Sequence, residues 1–343
     1  MRSSDASHQT KALPTTPNWQ QSLNEAVRSA SELLAILDID PEDLGWFQPV
    51  KDEFPLLVPK AFVSRMQPGN TNDPLLRQIL PMTEEQNEHP EFITDPLGEL
   101  ALANDGVMQK YPGRALIVTT AACPIHCRYC FRRHFPYEAQ TASRGNWSVA
   151  LAELRKRPAI SEVILSGGDP LSLSNRRLQE LVSELERFSS ITTLRIHSRF
   201  PIILPTRIDQ DLLDILRESS LKTVLVVHSN HANEIDESVR SAMKQVHATG
   251  TLILNQSVLL RGINDDITSL EALSHSLFDA SIVPYYLHQL DHVAGAMHFK
   301  VRDATALELL AGLRQRLPGY LVPRLVQEIP GELSKTPLHE SLR

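Results

Sequence analysis

From residue 115 onward, short apolar, β-branched runs alternate with stretches whose apolar residues recur at helical spacing. The runs cover 115–120, 162–166, 192–197, 222–228, 251–257, 281–287 and 320–326, and helices are predicted over 147–156, 173–188, 209–218, 234–248, 268–278 and 304–317. The second to sixth runs begin at 162, 192, 222, 251 and 281, so they recur at intervals of 30, 30, 29 and 30 residues. That interval is the length of one βα unit. Strands of a parallel sheet carry near-continuous apolar side chains because helices cover them, and these runs do. The units share no sequence similarity, so the repetition is structural. The pattern predicts an α/β fold, a partial TIM-like (β/α) barrel of about six βα units. The second arrangement is an open doubly wound sheet.

Ahead of these units the pattern is different. Residues 1–17 are polar and aperiodic and are expected to form a disordered tail. Apolar positions from Leu23 to Leu37 predict one helix over 19–37. Between Asp40 and Pro96 prolines recur, which predicts short helices and ordered loops rather than long elements. The expected organisation is a tail (1–17), a helical, proline-rich section (18–108), a barrel (109–319) and a C-terminal segment (320–343). The N-terminal section is expected to cap the barrel or to support subunit contacts.

Composition narrows the function. A 42% apolar fraction and 22% charged residues suit a chain with a sizeable core, and a net charge of −7 offers no basic footprint for nucleic acid. There is neither a long uncharged apolar stretch nor an apolar leader near Met1, so a cytoplasmic protein without a membrane partner is expected. The chain has three cysteines, Cys123, Cys127 and Cys130, on one short segment, which is not a disulfide framework.

Polar residues gather just past the end of run after run. They are the cysteine segment, Ser166-Gly167-Gly168-Asp169, His197-Ser198-Arg199, His228-Ser229-Asn230, Asn255-Gln256-Ser257 and His288-Gln289-Leu290-Asp291, with Glu328 and Lys335 after the last. In a (β/α) barrel these ends converge on one mouth, where active sites are built. Three thiolates on a short loop can hold three corners of a [4Fe–4S] cluster and leave one iron open to a chelating ligand. The rival is a three-cysteine zinc site completed by His126 or His134.

The segment Cys-Pro-Ile-His-Cys-Arg-Tyr-Cys resembles the signature of the radical S-adenosylmethionine superfamily, and Ser166-Gly167-Gly168-Asp169-Pro170 resembles its glycine-rich segment. Further stretches narrow the likeness: Lys110-Tyr111-Pro112-Gly113-Arg114, Cys130-Phe131-Arg132-Arg133-His134, Asn255 to Gly262, and Pro284-Tyr285-Tyr286. Together they resemble the lysine 2,3-aminomutase family over residues 95–338. The resemblance implies a [4Fe–4S] cluster on Cys123, Cys127 and Cys130. It implies S-adenosylmethionine held by Tyr129, Gly167, Gly168, Asp169, His228 and Gln256, with the Asp169 carboxylate pairing the cofactor's ammonium. Pyridoxal 5'-phosphate would be bound as a Schiff base on Lys335, with Tyr111 and Arg114 at its phosphate. The substrate L-lysine would set its carboxylate on Arg132 and its distant ammonium between Asp291 and Glu328.

Against the clostridial type, Glu328 stands in place of aspartate and His288 in place of tyrosine. The glycine run before Lys335 is reduced, and the C-terminal extension with zinc-binding cysteines is absent. These features resemble the short bacterial branch that converts lysine to (R)-β-lysine for attachment to elongation factor P by a lysyl-tRNA-synthetase-like ligase. Such an enzyme needs a one-electron reductant and would be a monomer or small homo-oligomer. The competing readings are a catabolic aminomutase for lysine or another amino acid, and a non-catalytic iron–sulfur or zinc module.

Overall fold

Seven parallel strands stand side by side in the order in which the chain makes them. The computed structural model describes residues 18–47, 54–104, 106–137, 141–142 and 147–338, so the expected tail lies outside the described residues. The parallel strands are β3 (Arg114–Thr120), β4 (Glu162–Gly167), β5 (Thr193–Ser198), β6 (Lys222–Val227), β7 (Leu252–Val258), β8 (Val283–His288) and β9 (Arg324–Gln327). One α-helix of the outer layer separates each pair: Ser148–Arg155, Asn175–Leu185, Gln210–Glu218, Glu237–His247, Ile267–Asp279 and Asp303–Arg316. The result is six βα units closed by a seventh strand, a partial TIM-like barrel. Antiparallel strands extend both edges, β1 (Ala103–Asn104) and β2 (Val107–Tyr111) on one side and β10 (Thr336–Pro337) on the other. Among the described residues those edges do not pair, so the sheet stays open.

The helices begin where the sequence supplies an acceptor for their unpaired amides. Asp209, Asp236 and Asp266 accept from Leu212, Val239 and Ser269, each at 2.9 Å. Leucines and valines on their inner faces, among them Leu178, Leu181, Leu212 and Val239, are fully buried against the sheet.

Two expectations are corrected. The single helix over 19–37 is two, Trp19–Asn24 and Ala30–Ile36, because Val27 leaves the helical path to bridge Val58 and Ser29 caps the second helix. The last strand starts at Arg324 rather than 320, since Pro323 has no amide for the ladder and residues Gly319–Leu321 form a 3-10 turn. The 3-10 turn at the expected division 319/320 leads into β9, which pairs in parallel with β8. In the N-terminal section, Leu33, Phe62, Leu76 and their neighbours form a separate apolar cluster that reaches Ile125 in the cysteine loop and Ile203 beyond β5. It sits over the carboxyl ends of the strands.

Candidate active site

The barrel encloses a cavity of about 430 Å3 that reaches from the cysteine loop to Arg114 at the start of β3. Cys123, Cys127, Tyr129, Cys130 and Arg132 line it from the loop after β3, and Gly167, Gly168 and Asp169 from the end of β4. His228, Gln256 and Asp291 line it from β6, β7 and the loop after β8, while Glu328 and Lys335 enter from the β9–β10 hairpin, opposite Tyr111 and Arg114. The residues assigned from the sequence to the cluster, the cofactors and the substrate therefore line one space, whereas His134, an alternative zinc ligand, does not.

The glycines serve the cysteine loop directly. A Cβ on Gly168 would stand 2.5 Å from the Ala122 carbonyl, and one on Gly167 (φ +128°) 2.6 Å from the Thr120 carbonyl. The amides of Gly168 and Asp169 donate to Thr120 and Ala122 at 2.7 Å each, clamping the start of the loop to β4. The expected opening for a ligand is thus filled in part by protein backbone. Asp169 departs from expectation in the same way. Its carboxylate accepts from Ser198 Oγ, Leu171 N, Arg199 N and Phe200 N at 2.7, 3.0, 2.8 and 3.1 Å. Four donors meet the acceptor capacity of a carboxylate, so Asp169 pins β4 to the end of β5 and has no free lone pair for an ammonium. Burial still pushes its pKa up to about 6.

Burial likewise pushes the thiols of Cys123 and Cys130 up, the latter to about 11. Cationic charge at the sulfurs offsets this cost, whether from iron or from the Arg199 guanidinium, which donates to Cys127 Sγ. Among the described residues no three His, Cys, Asp or Glu side chains converge as ligands of a single metal ion. The histidines proposed to complete a zinc site are engaged elsewhere. His126 Nδ1 meets the Pro55 carbonyl at 2.6 Å with its ring stacked on Phe54, and His134 Nε2 faces the Ala294 carbonyl at 3.3 Å. Three cavity-facing thiols beside a buried cation fit the corners of an iron–sulfur cluster better than one zinc ion.

Arg132 is buried and already paired. Its Nε and Nη2 donate to Glu99 at 2.7 and 3.0 Å, and Nη1 donates to Ser166 Oγ and Gly167 O at 2.9 and 3.2 Å. The fork expected to receive a substrate carboxylate is thus filled by Glu99. Glu99 gave no sequence signal, since a lone glutamate at the head of a four-residue helix reads as surface.

The hairpin end carries the opposite pattern, one engaged carboxylate and one open. Glu328 Oε2 accepts from Lys335 Nζ at 2.5 Å, and Oε1 accepts from Tyr111 OH at 2.8 Å and Lys110 Nζ at 3.2 Å. Lys335 and Lys110 hold the Glu328 carboxyl down at about 2 against burial. The Asp291 side chain accepts no hydrogen bond from any described residue, and enclosure raises its pKa to about 7. The expected bracket of two free carboxylates is therefore one free carboxylate and one engaged with Lys335. Arg114 lies over the Tyr111 ring, 4.9 Å to its centroid, with no carboxylate partner among the described residues. An unpaired guanidinium, a tyrosine and a primary amine sharing one cavity are a donor set that fits pyridoxal phosphate.

Between these ends stand His197, His228 and His288. Burial lowers all three, His228 to about 4, so they are neutral near pH 7. His197 and His228 meet edge to face at 5.9 Å, and neither Nε2 has a hydrogen-bond partner among the described residues. Gln256 Nε2 lies 3.3 Å from His288 Nε2.

A parallel (β/α) sheet with clustered cysteines at the carboxyl end of its first parallel strand is the arrangement of a radical S-adenosylmethionine enzyme, and the Radical SAM superfamily model matches residues 117–267. Among curated proteins, L-lysine 2,3-aminomutase of Escherichia coli (strain K12) is 46% identical over 331 residues, covering 96% of this chain and 97% of that protein. The Haemophilus influenzae L-lysine 2,3-aminomutase is 41% identical, covering 95% and 98%, and that of Clostridium subterminale is 30% identical, covering 94% and 77%. The chain belongs to the L-lysine 2,3-aminomutase family. It is accordingly an isomerase of the radical S-adenosylmethionine class, which carries a [4Fe–4S] cluster and uses S-adenosylmethionine.

Proposed function

We propose that the chain converts L-lysine to (R)-β-lysine with pyridoxal 5'-phosphate on Lys335, and that the product serves β-lysylation of elongation factor P in the cytoplasm. The observation that carries the reading is the shared cavity, with the three thiols at one end and the Lys335 amine at the other. Cys123, Cys127 and Cys130 would hold the cluster. Tyr129, Gly167, Gly168, His228 and Gln256 would surround S-adenosylmethionine, with Asp169 holding their backbone in place. When bound, cluster and S-adenosylmethionine supply a hydrogen-abstracting radical, and pyridoxal phosphate supplies a carbonyl for the migrating nitrogen and a conjugated ring that spreads the unpaired electron.

The chain's own part is positional. Arg114 and Tyr111 would take the phosphate. Asp291 would take the substrate's distant ammonium, which supplies the counter-charge its enclosure lacks. Glu328 would join it only when Lys335 turns away. Arg132, braced by Glu99, would offer its remaining N–H to the substrate carboxylate. The walls of the cavity would shield the reacting carbon from bulk water. Selectivity for a basic substrate follows, because an uncharged side chain would leave Asp291 buried without a partner.

The link to elongation factor P is supported by the closer likeness to the shorter relatives, 46% identity over 97% of the Escherichia coli protein against 30% over 77% of the clostridial one. Two experiments test the reading. Borohydride treatment of the chain with pyridoxal phosphate should fix the cofactor's mass on the peptide containing Lys335. The enzymatic product should then be accepted by the lysyl-tRNA-synthetase-like ligase and transferred to elongation factor P more readily than α-lysine. Absence of the adduct would refute the first part, and equal transfer of both amino acids the second.

A further inference from the structure

The three cysteines are not held alike. Cys127 takes a hydrogen bond from a guanidinium, that of Arg199 at the end of β5, and among the described residues no other side-chain cation donates to a thiol of the loop. Arg199 is 6% exposed, and its position is set from several directions. Its Nη2 donates to Glu234 at 3.0 Å and to Gln78 at 2.7 Å, both fully buried, and its own amide is held by Asp169. Its Cζ lies 5.7 Å from the centroids of both Phe62 and Tyr129. Glu234 is anchored in turn, since its Oε1 accepts from the amides of Asn230 and His231 at 2.8 and 3.1 Å. A buried ion pair of this kind is costly and adds little stability over an apolar replacement. Here its positive end is aimed at sulfur.

We infer that Arg199 is a positioning residue for the iron–sulfur cluster: it donates to the Cys127 sulfur, makes the iron on that cysteine electronically distinct, and raises the reduction potential of the cluster, with Glu234 setting how strongly. A cluster gains one negative charge on reduction, so a cation or hydrogen-bond donor at a sulfur favours the reduced form. A carboxylate behind that cation weakens the effect. Gln78 and Glu234 come from the N-terminal cap and from the loop after β6, so the potential depends on parts of the chain outside the cysteine segment. The inference rests on Cys127 being a cluster ligand.

The test uses the full-length chain reconstituted anaerobically with iron and sulfide. Its readouts are iron per chain, circular dichroism and the cluster midpoint potential from an electron paramagnetic resonance titration without S-adenosylmethionine. Three variants are compared with wild type: Arg199→Lys, Glu234→Gln, and the double Arg199→Gln/Glu234→Gln, which removes both charges and leaves neither unpaired. The double variant should shift the potential down and Glu234→Gln should shift it up, at wild-type iron content; Arg199→Lys, which keeps the charge but not the fork, should fall between wild type and the double variant. A purely structural role moves stability but not the potential in opposite directions. If the double variant fails to fold, the Glu234→Gln shift decides alone. Unmoved potentials in variants that hold a full cluster overturn the inference. A wild-type chain that takes up no cluster refutes the assignment of Cys127 itself, which is a separate failure.

Discussion

The ammonium of Lys335 donates to Glu328 Oε2 at 2.5 Å, across the turn of the β9–β10 hairpin. Glu328 in turn holds β2 through Tyr111 and Lys110. The sheet edge, the hairpin and the Lys335 amine are thereby fixed as one unit, and among the described residues Asp291 is left as the open carboxylate of the cavity.

On the proposed reading, Asp291 is the residue whose titration would govern lysine binding. With its carboxyl raised to about 7 before substrate arrives, it is half protonated at neutrality. Only the ionised form attracts an ammonium, so lysine affinity should rise as pH increases from 6 to 8. Asp291→Asn should remove that dependence and raise KM for lysine by about 2 kcal/mol, roughly thirtyfold, with iron content unchanged. Steady-state kinetics across pH on reconstituted enzyme read both. A parallel loss of iron would assign Asp291 to folding instead.

The neutral histidines make stability depend on pH in a defined direction. His228 has a folded pKa of about 4, below that of an unfolded histidine near 6.5. Between those values the unfolded chain binds more protons, so stability falls as pH drops from about 6.5 to about 4. Asp169 and Asp291, both raised, act oppositely, losing stability as pH climbs through the same range. His228→Gln should flatten the acid-side loss of the cluster-free chain by up to about 3 kcal/mol, measured as urea midpoints from pH 4 to 7. An unchanged slope would show that His228 titrates freely.

Gly168→Ala tests the clamp on the cysteine loop. The added Cβ would meet the carbonyls of Ala121 and Ala122 at 2.6 and 2.5 Å, and these are backbone atoms that cannot turn aside. The variant should lose about 2–3 kcal/mol of stability and most of its iron, because the loop must move. Iron analysis and urea unfolding check it; full iron content would show that the loop tolerates displacement.

Glu99→Ala should be more damaging than Arg132→Met/Glu99→Leu. The single change strands the Arg132 guanidinium in a buried position at about 3–5 kcal/mol, whereas the double change removes both charges. Melting temperatures of the two variants decide the order. The double variant, which removes the guanidinium, should also lose lysine turnover if Arg132 meets the substrate carboxylate.

The barrel was legible in the sequence because β4 to β8 recur at a regular interval with apolar residues on the helix-covered face, while Arg195, His197 and Gln256 interrupt the runs where they face the cavity. The mouth was legible because Gln256 and His288 stand toward the ends of β7 and β8 and Asp291 follows β8. What the sequence hid are partnerships between distant segments. Nothing near Glu99 announces Arg132, nothing near Gln78 or Glu234 announces Arg199, and three of the four donors on Asp169 come from the distant stretch Ser198–Phe200. The N-terminal helix was misread because its periodicity continues through Val27, which tertiary pairing with Val58 draws out of the helix.

The most direct measurement of the central claim is β-lysine formed by wild type and by Lys335→Ala at matched cluster content, with lysine, pyridoxal phosphate, S-adenosylmethionine and a reductant under anaerobic conditions. Product from wild type and none above background from the variant is the expected result. Equal β-lysine from both would contradict it, because the amine facing the cysteine loop across the cavity would then have no part in the reaction.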